Sequence, residues 1–194
     1  MKKTIGVLCL QGGYDSHLRM LKKLQVKTHR VTVPEDLEKI DGLILPGGES
    51  TTIGKLLVFH KLLEPLREKI NQGFPVFGTC AGMILLSSGV EGPDQTLVGG
   101  MDFRVKRNAY GRQIESFDAK IPLYGLPAGK LVQGIFIRAP QISSCGPGIQ
   151  ILGSYEDLPV LVRQNNLLAA SFHPELTEDT TVHRYFLTLV EGTS

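Results

Sequence analysis

Cys80 stands in the stretch Pro75-Val76-Phe77-Gly78-Thr79-Cys80-Ala81-Gly82-Met83-Ile84-Leu85-Leu86, with a glycine two positions away on either side. The stretch reads as a short buried strand, a tight turn and an apolar helix. That is the nucleophile-elbow pattern, glycine-x-nucleophile-x-glycine, with a thiol in place of a hydroxyl. A sharp strand-to-helix turn strains the backbone of the nucleophile, and the flanking glycines let neighbouring elements come close. At a helix N-terminus, N–H groups and the helix dipole favour a thiolate and offer donors to an oxyanion. The bland alternative is a structural cysteine between two packing glycines.

A thiol needs a base to raise its thiolate fraction, and His173-Pro174-Glu175 supplies one. An imidazole in turn needs an acceptor that holds its tautomer and stabilises its charged form. Glu175, two residues on, points the same way as His173 if strand geometry persists through Pro174. Cys80, His173 and Glu175 thus form a candidate triad in the order nucleophile, base, orienter. The loop carrying Gly48 is expected to bring backbone N–H groups beside the thiol, and together with the N–H of Ala81 to form an oxyanion hole. Arg107 and Arg138 each follow a predicted strand, where a guanidinium is able to clamp a substrate carboxylate. His17, His29, His60 and His183 lack metal-ligand spacing and read as structural or solvated. No metal and no cofactor is called for.

The surrounding pattern must carry these groups to one place. Ile5 to Leu10, Thr28 to Val33 and Gly42 to Leu45 read as strands, as does the run ending at Gly78. Helical patterns lie between them: from Asp15, with Leu18, Leu21 and Leu24 on one side, then Thr51 to His60 and Leu63 to Gln72. A short helical turn is expected over Glu35 to Ile40. Strands alternating with helices predict a parallel sheet covered on both faces, whose ligand chemistry gathers at the carboxyl ends of the strands. Gln11-Gly12-Gly13, Gly47-Gly48-Glu49 and Gly78-Thr79-Cys80 all follow predicted strands, so they should open on one edge. In the second half, Gly89 to Gly100 reads as a polar connection, and Phe103 to Arg107 and Lys130 to Ile137 as strands. Asn108 to Arg112 reads as a turn. Pro159 to Arg163 and Leu167 to Phe172 flank a hairpin turn at Gln164-Asn165-Asn166. A last helix carries Val182, Tyr185, Phe186 and Leu189, with Gly192 as its stop.

The 194 residues, 42% apolar and 21% charged, suit one domain spanning 1–194 with its own core. A net charge of +2 without a Lys/Arg run argues against nucleic acid. Three widely spaced cysteines, Cys9, Cys80 and Cys145, form neither a disulfide framework nor a metal pattern and point to a reducing interior. Cys9 reads as a small hydrophobe within the first strand and Cys145 as a loop thiol. The first apolar run stops too soon for a signal peptide, and no stretch is long enough to span a membrane. A cytoplasmic location is expected.

Gly78-Thr79-Cys80-Ala81-Gly82 with His173-Pro174-Glu175 resembles the triad-type (class I) glutamine amidotransferases. More narrowly, Leu45-Pro46-Gly47-Gly48-Glu49-Ser50-Thr51-Thr52, Arg107-Asn108-Ala109-Tyr110-Gly111-Arg112-Gln113, Phe136-Ile137-Arg138-Ala139-Pro140 and the blocks around Gly6 to Gly12 and Ser171 to Thr177 are similar to the glutaminase subunits of pyridoxal 5′-phosphate synthase. The resemblance implies a flavodoxin-like three-layer α/β fold with a mostly parallel central sheet. It implies hydrolysis of L-glutamine to glutamate and ammonia through a glutamyl thioester on Cys80, with the oxyanion on Gly48 and Ala81. Gly48, Glu49, Ser50, Arg107, Ile137 and Arg138 are the implied glutamine-binding positions. Ammonia would pass to a barrel-fold synthase subunit that makes the vitamin B6 cofactor from a pentose phosphate and a triose phosphate, in a complex of twelve plus twelve subunits. The glutaminase would be nearly inactive until docked, with rearrangement of the Gln11-Gly12 turn as the switch. Cys9, Gly13 and Tyr110 depart from the commoner residues of that group. A glutaminase serving another acceptor, as in histidine biosynthesis, a cysteine peptidase and a non-catalytic regulatory module are the rival readings.

Overall fold

Four runs in which every residue is buried organise the chain: β1 (Thr4–Leu8), β3 (Gly42–Leu45), β4 (Val76–Thr79) and β12 (Leu167–Ala170). Strands buried on both faces belong at the centre of a covered parallel sheet, and that is where they lie. The computed structural model describes residues 3–107, 116–125 and 131–193. Its main sheet also takes in β2 (Lys27–Val31), β10 (Gln150–Tyr155) and β11 (Leu158–Gln164). The order across it is β10-β11-β12-β4-β3-β1-β2. From β2 to β12 every neighbouring pair is parallel, and the β12–β11 and β11–β10 pairs are antiparallel. The parallel part has the flavodoxin-like order, which opens a crevice at its carboxyl edge.

Alternate residues of each central strand feed two cores. Leu43, Leu45, Val76 and Ala169 face one way, and Ile44, Phe77, Leu168 and Ala170 the other. Helices α2 (Ser50–Phe59), α3 (Leu63–Asn71) and α4 (Ala81–Leu86) cover the first face, and α1 (Tyr14–Lys23) and α5 (Thr181–Glu191) cover the second. A three-stranded sheet of β5 (Gly89–Glu91), β6 (Phe103–Lys106) and β9 (Gln141–Cys145) packs with the first core. The hairpin of β7 (Ser116–Pro122) and β8 (Leu131–Ile137) packs with the second. Among the described residues, no helix is long and apolar enough to cross a membrane.

The expected α/β layering and mostly parallel sheet are present, and several local expectations are corrected. β5, β7, β9 and β10 were not anticipated, and Gly89 begins a strand rather than a polar connection. β12 stops at Ala170, and Pro174–Leu176 is a 3-10 turn, so strand geometry does not persist from His173 to Glu175. β1 ends at Leu8, leaving half-buried Cys9 just past it, and Cys145 lies on β9. The buried face of α1 is His17, Met20 and Leu21, with Leu18 only half-buried. The predicted turn at Asn108 to Arg112, Tyr110 included, lies outside the described residues.

The short helical turn is a 3-10 helix, Pro34–Lys39, anchored by Asp36. His29 Nε2 lies 2.8 Å from Asp36 Oδ1, and the backbone N–H groups of Thr32 and Val33 donate to Oδ2 at 3.0 and 3.3 Å. Burial alone would raise the Asp36 pKa, but these bonds and that from Lys39 hold it well below the usual range. A depressed carboxylate pKa adds stability above the ordinary value of about 3.9 and loses it as pH falls towards the folded value. Asp36→Asn is therefore expected to destabilise the fold by about 1–3 kcal/mol near neutrality. Denaturant titrations should show that difference shrinking as the medium is acidified.

Candidate active site

Because β1, β3, β4 and β12 run parallel, the turns after them share one edge. The turn after β4 is the elbow. Cys80 has φ 48° and ψ −101°, a conformation L-residues rarely adopt. A Cβ on Gly78 would overlap the carbonyl of Gly82, and one on Gly82 would overlap the carbonyl of Leu45. Both glycines are thus demanded by close backbone approach. The Cys80 N–H donates to Ala170 O at 2.8 Å, tying Cys80 to β12.

Past β12 the chain turns so that the His173 N–H donates to Ile135 O at 2.8 Å, which fixes the imidazole against β8. The 3-10 turn, not an extended strand, then swings Glu175 back. Its Oε1 lies 2.7 Å from His173 Nδ1, and the Glu175 side chain is 2% exposed. Cys80 lies beside the imidazole, close enough to act on its charge, and its Sγ donates to Ile137 O at 3.8 Å. Burial would lower the His173 pKa, but Cys80 and the hydrogen-bonded Glu175 carboxylate beside it outweigh it and push the value up to about 10. Glu175 moves the other way: burial disfavours its charge, yet the imidazoles beside it lower its pKa. Both shifts favour the protonated form of His173 beside an ionised Glu175.

The remaining wall comes from the first two loops. Gly12 (φ +100°) packs so closely on Gly47 that a Cβ there would overlap the Gly47 carbonyl oxygen. The Gly13 N–H donates to Gly47 O at 2.9 Å, and the Glu49 N–H to the Gln11 side-chain oxygen at 3.0 Å. The predicted switch turn is therefore interlocked with the Gly48 loop. Glu49 caps α2, accepting from the Thr52 N–H at 2.9 Å, and its other oxygen lies 3.2 Å from Arg107. The Thr51 hydroxyl leads the bonds that lower the Glu49 pKa. Gln95 Oε1 accepts from Ser50 Oγ at 3.1 Å and from Arg107 at 3.3 Å, which steadies that corner.

The result is a cavity of about 390 Å³. Cys80, His173 and Glu175 line it together with Gly48, Glu49, Ser50, Ala81, Arg107, Ile137 and Arg138. Arg138 holds a left-handed φ of 44° at the end of β8. Sequence reasoning does not single out Ile84 and Leu176, which also line the cavity, and reads His17 and His183, whose rings lie behind Glu175, only as structural or solvated. A signal for His17 existed: with Met20 and Leu21 it makes an i, i+3, i+4 stripe, which places an imidazole on the buried face.

Comparison with known proteins places this geometry in context. Residues 7–192 match the SNO glutamine amidotransferase family. The pyridoxal 5′-phosphate synthase subunit PdxT of Thermosipho africanus is 51% identical over 96% of this chain and 98% of its own. The PdxT subunit of Pseudothermotoga lettingae is 54% identical over 95% of this chain and 94% of its own. A solved structure described as a glutamine amidotransferase superposes with a TM-score of 0.92 at 46% identity, covering 96% of this chain and 98% of that one.

Proposed function

The chain belongs to the SNO glutamine amidotransferase family, and we propose that it is the glutaminase subunit of a pyridoxal 5′-phosphate synthase, hydrolysing L-glutamine to L-glutamate and ammonia. The observation that carries the chemistry is the convergence of Cys80, His173 and Glu175 on one cavity, with the Glu175 carboxylate hydrogen-bonded to His173 Nδ1. The Cys80 thiolate attacks the side-chain carboxamide carbon, forming the C–S bond and an oxyanion that the Gly48 and Ala81 N–H groups hold. Collapse breaks the C–N bond, and His173 delivers its proton to the departing ammonia. Water then gives a proton to His173 and attacks the thioester, the C–S bond breaks, and glutamate leaves. Glu175 keeps the imidazole oriented and charged throughout.

At the rim, Glu49 and Arg107 pair with each other. Their opposite charges suit the ammonium and carboxylate of a zwitterionic amino acid, with Ser50, Ile137 and Arg138 completing the grip. Residues 1–194 act as one glutaminase domain, in the cytoplasm, where its free thiols stay reduced. Ammonia passes to the barrel-fold synthase subunit without meeting bulk water, in an assembly of twelve plus twelve. Exposed Ile137 and Leu176 beside the cavity support docking over this edge. Docking shifts the Gln11-Gly12 turn and completes the oxyanion hole.

The test is glutamate release by the subunit alone and with the synthase subunit. A rise of about 10- to 100-fold on docking is expected. Turnover indifferent to the partner would move the chain to another amidotransferase branch.

A further inference from the structure

Behind Glu175 lie two polar side chains that the mechanism does not use. His17 on α1 and His183 on α5 are both fully buried. His17 Nδ1 is 3.1 Å from His183 Nε2, while His17 Nε2 is 3.1 Å from Thr79 Oγ1 and 3.5 Å from Glu175 Oε1. Phe77 stands edge-on to both rings, which closes the pocket from the sheet side. The groups facing His17 are thus Thr79 and Phe77 from β4, Glu175 from the 3-10 turn and His183 from α5, with His173 beyond Glu175. Burial keeps both imidazoles neutral. It is the largest influence lowering the His17 pKa, and with the neighbouring His17 it takes His183 down to about 3.

Two neutral imidazoles in contact share two N–H groups, so only two arrangements are open. In one, His17 donates from Nδ1, and His183 must carry its proton on Nδ1. That atom is buried and has no hydrogen-bond partner. In the other, His183 donates from Nε2 to His17 Nδ1, and His17 carries its proton on Nε2. The orphan is then a lone pair rather than an N–H, which is the cheaper atom to bury unpaired. The second arrangement also turns an N–H, not a lone pair, towards the Glu175 carboxylate. Its firm bond is to Thr79. Across 3.5 Å the effect on Glu175 is that of an oriented dipole in a low-dielectric interior.

We propose that His17 is a positioning residue of this site: its Nε2–H holds Thr79, the residue before the nucleophile, and the Glu175 carboxylate in one arrangement, and His183 selects the tautomer that allows it. One side chain thereby joins the two arms of the triad, which come from distant parts of the chain. The inference rests on the triad reading above, so its test includes a signal independent of glutamine turnover.

The experiment compares His17→Leu, His17→Gln and His183→Leu. In the complex with the synthase subunit, kcat and KM for glutamate release are measured. In the isolated subunit, the pH dependence of Cys80 alkylation by iodoacetamide is followed. His17→Leu should lower kcat about 10- to 100-fold with KM nearly unchanged, and shift the alkylation profile. His17→Gln keeps an N–H donor and should recover most of both, and His183→Leu should fall between. In a Glu175→Gln background His17→Leu should cost much less. If His17→Leu does not fold, His17→Asn, whose amide is too short to reach, takes its place against His17→Gln. Folded His17→Leu with wild-type kcat and alkylation profile would overturn the proposal. Equal losses in His17→Gln and His17→Leu would reduce His17 to a packing residue and overturn it as well. Absence of glutamate release by the wild-type complex would instead defeat the glutaminase reading, while the alkylation profiles still judge the hold of His17 on the triad.

Discussion

A Cys80→Ala variant is expected to release no measurable glutamate from L-glutamine, alone or docked to the synthase subunit. The loss in kcat should be on the order of 10⁴-fold or more, as when a covalent nucleophile is removed from a triad. No other thiol is placed to substitute. Cys9 is half-buried with its Sγ donating to Val7 O, Cys145 sits on β9, and neither lines the cavity. The change removes only the sulfur, and alanine adopts the strained backbone of the elbow at a similar cost to cysteine. The thermal midpoint should therefore move by only a few degrees. Glutamine binding, held by the walls of the cavity, should survive, which calorimetry can confirm in the same sample. The His173 pKa should fall, because one of the two acidic groups that raise it has gone. Turnover within about tenfold of wild type would exclude the thioester route altogether.

Much of this was legible in the sequence because its physical causes are local. The elbow is written in Gly78 and Gly82, whose hydrogens leave room for carbonyls of α4 and β3. The carboxyl edge follows from strand-loop-helix alternation, since parallel strands send their following loops to one side. What could not be read was long-range. Strands β7, β9 and β10 are at the periphery and have exposed or half-buried residues, so no continuous apolar run marked them. Glu175 was matched to His173 by the wrong local geometry. The contact is made by a 3-10 turn, which returns the side chain where a strand would have carried it onward. His17 was missed for another reason. A histidine on a helical stripe signals burial, but nothing local says that a carboxylate from residue 175 waits behind it.

Replacing Glu175 by glutamine should nearly match the loss of the nucleophile while leaving substrate binding intact. The amide has the shape of the carboxylate but not its charge, and it offers His173 Nδ1 a donor as readily as an acceptor. Burial then acts on the imidazole with less opposition, so its pKa falls from about 10. The sign of the pH effect follows. His173 must be protonated to release ammonia, and a raised pKa keeps the proton on through neutral and mildly alkaline conditions. In Glu175→Gln the alkaline limb of kcat should move towards neutrality, and kcat at its best pH should drop about 10³- to 10⁴-fold. KM should change little, since Glu175 meets the imidazole rather than the Glu49–Arg107 pair proposed to bind the amino acid. The fold should tolerate the change, because removing a buried charge relieves desolvation even as it forfeits the bond to His173. A kcat within about tenfold of wild type with an unmoved alkaline limb would show that Glu175 neither orients nor charges His173. Thiol and imidazole would then have to act as a dyad, and the convergence of the 3-10 turn on β4 would need another cause.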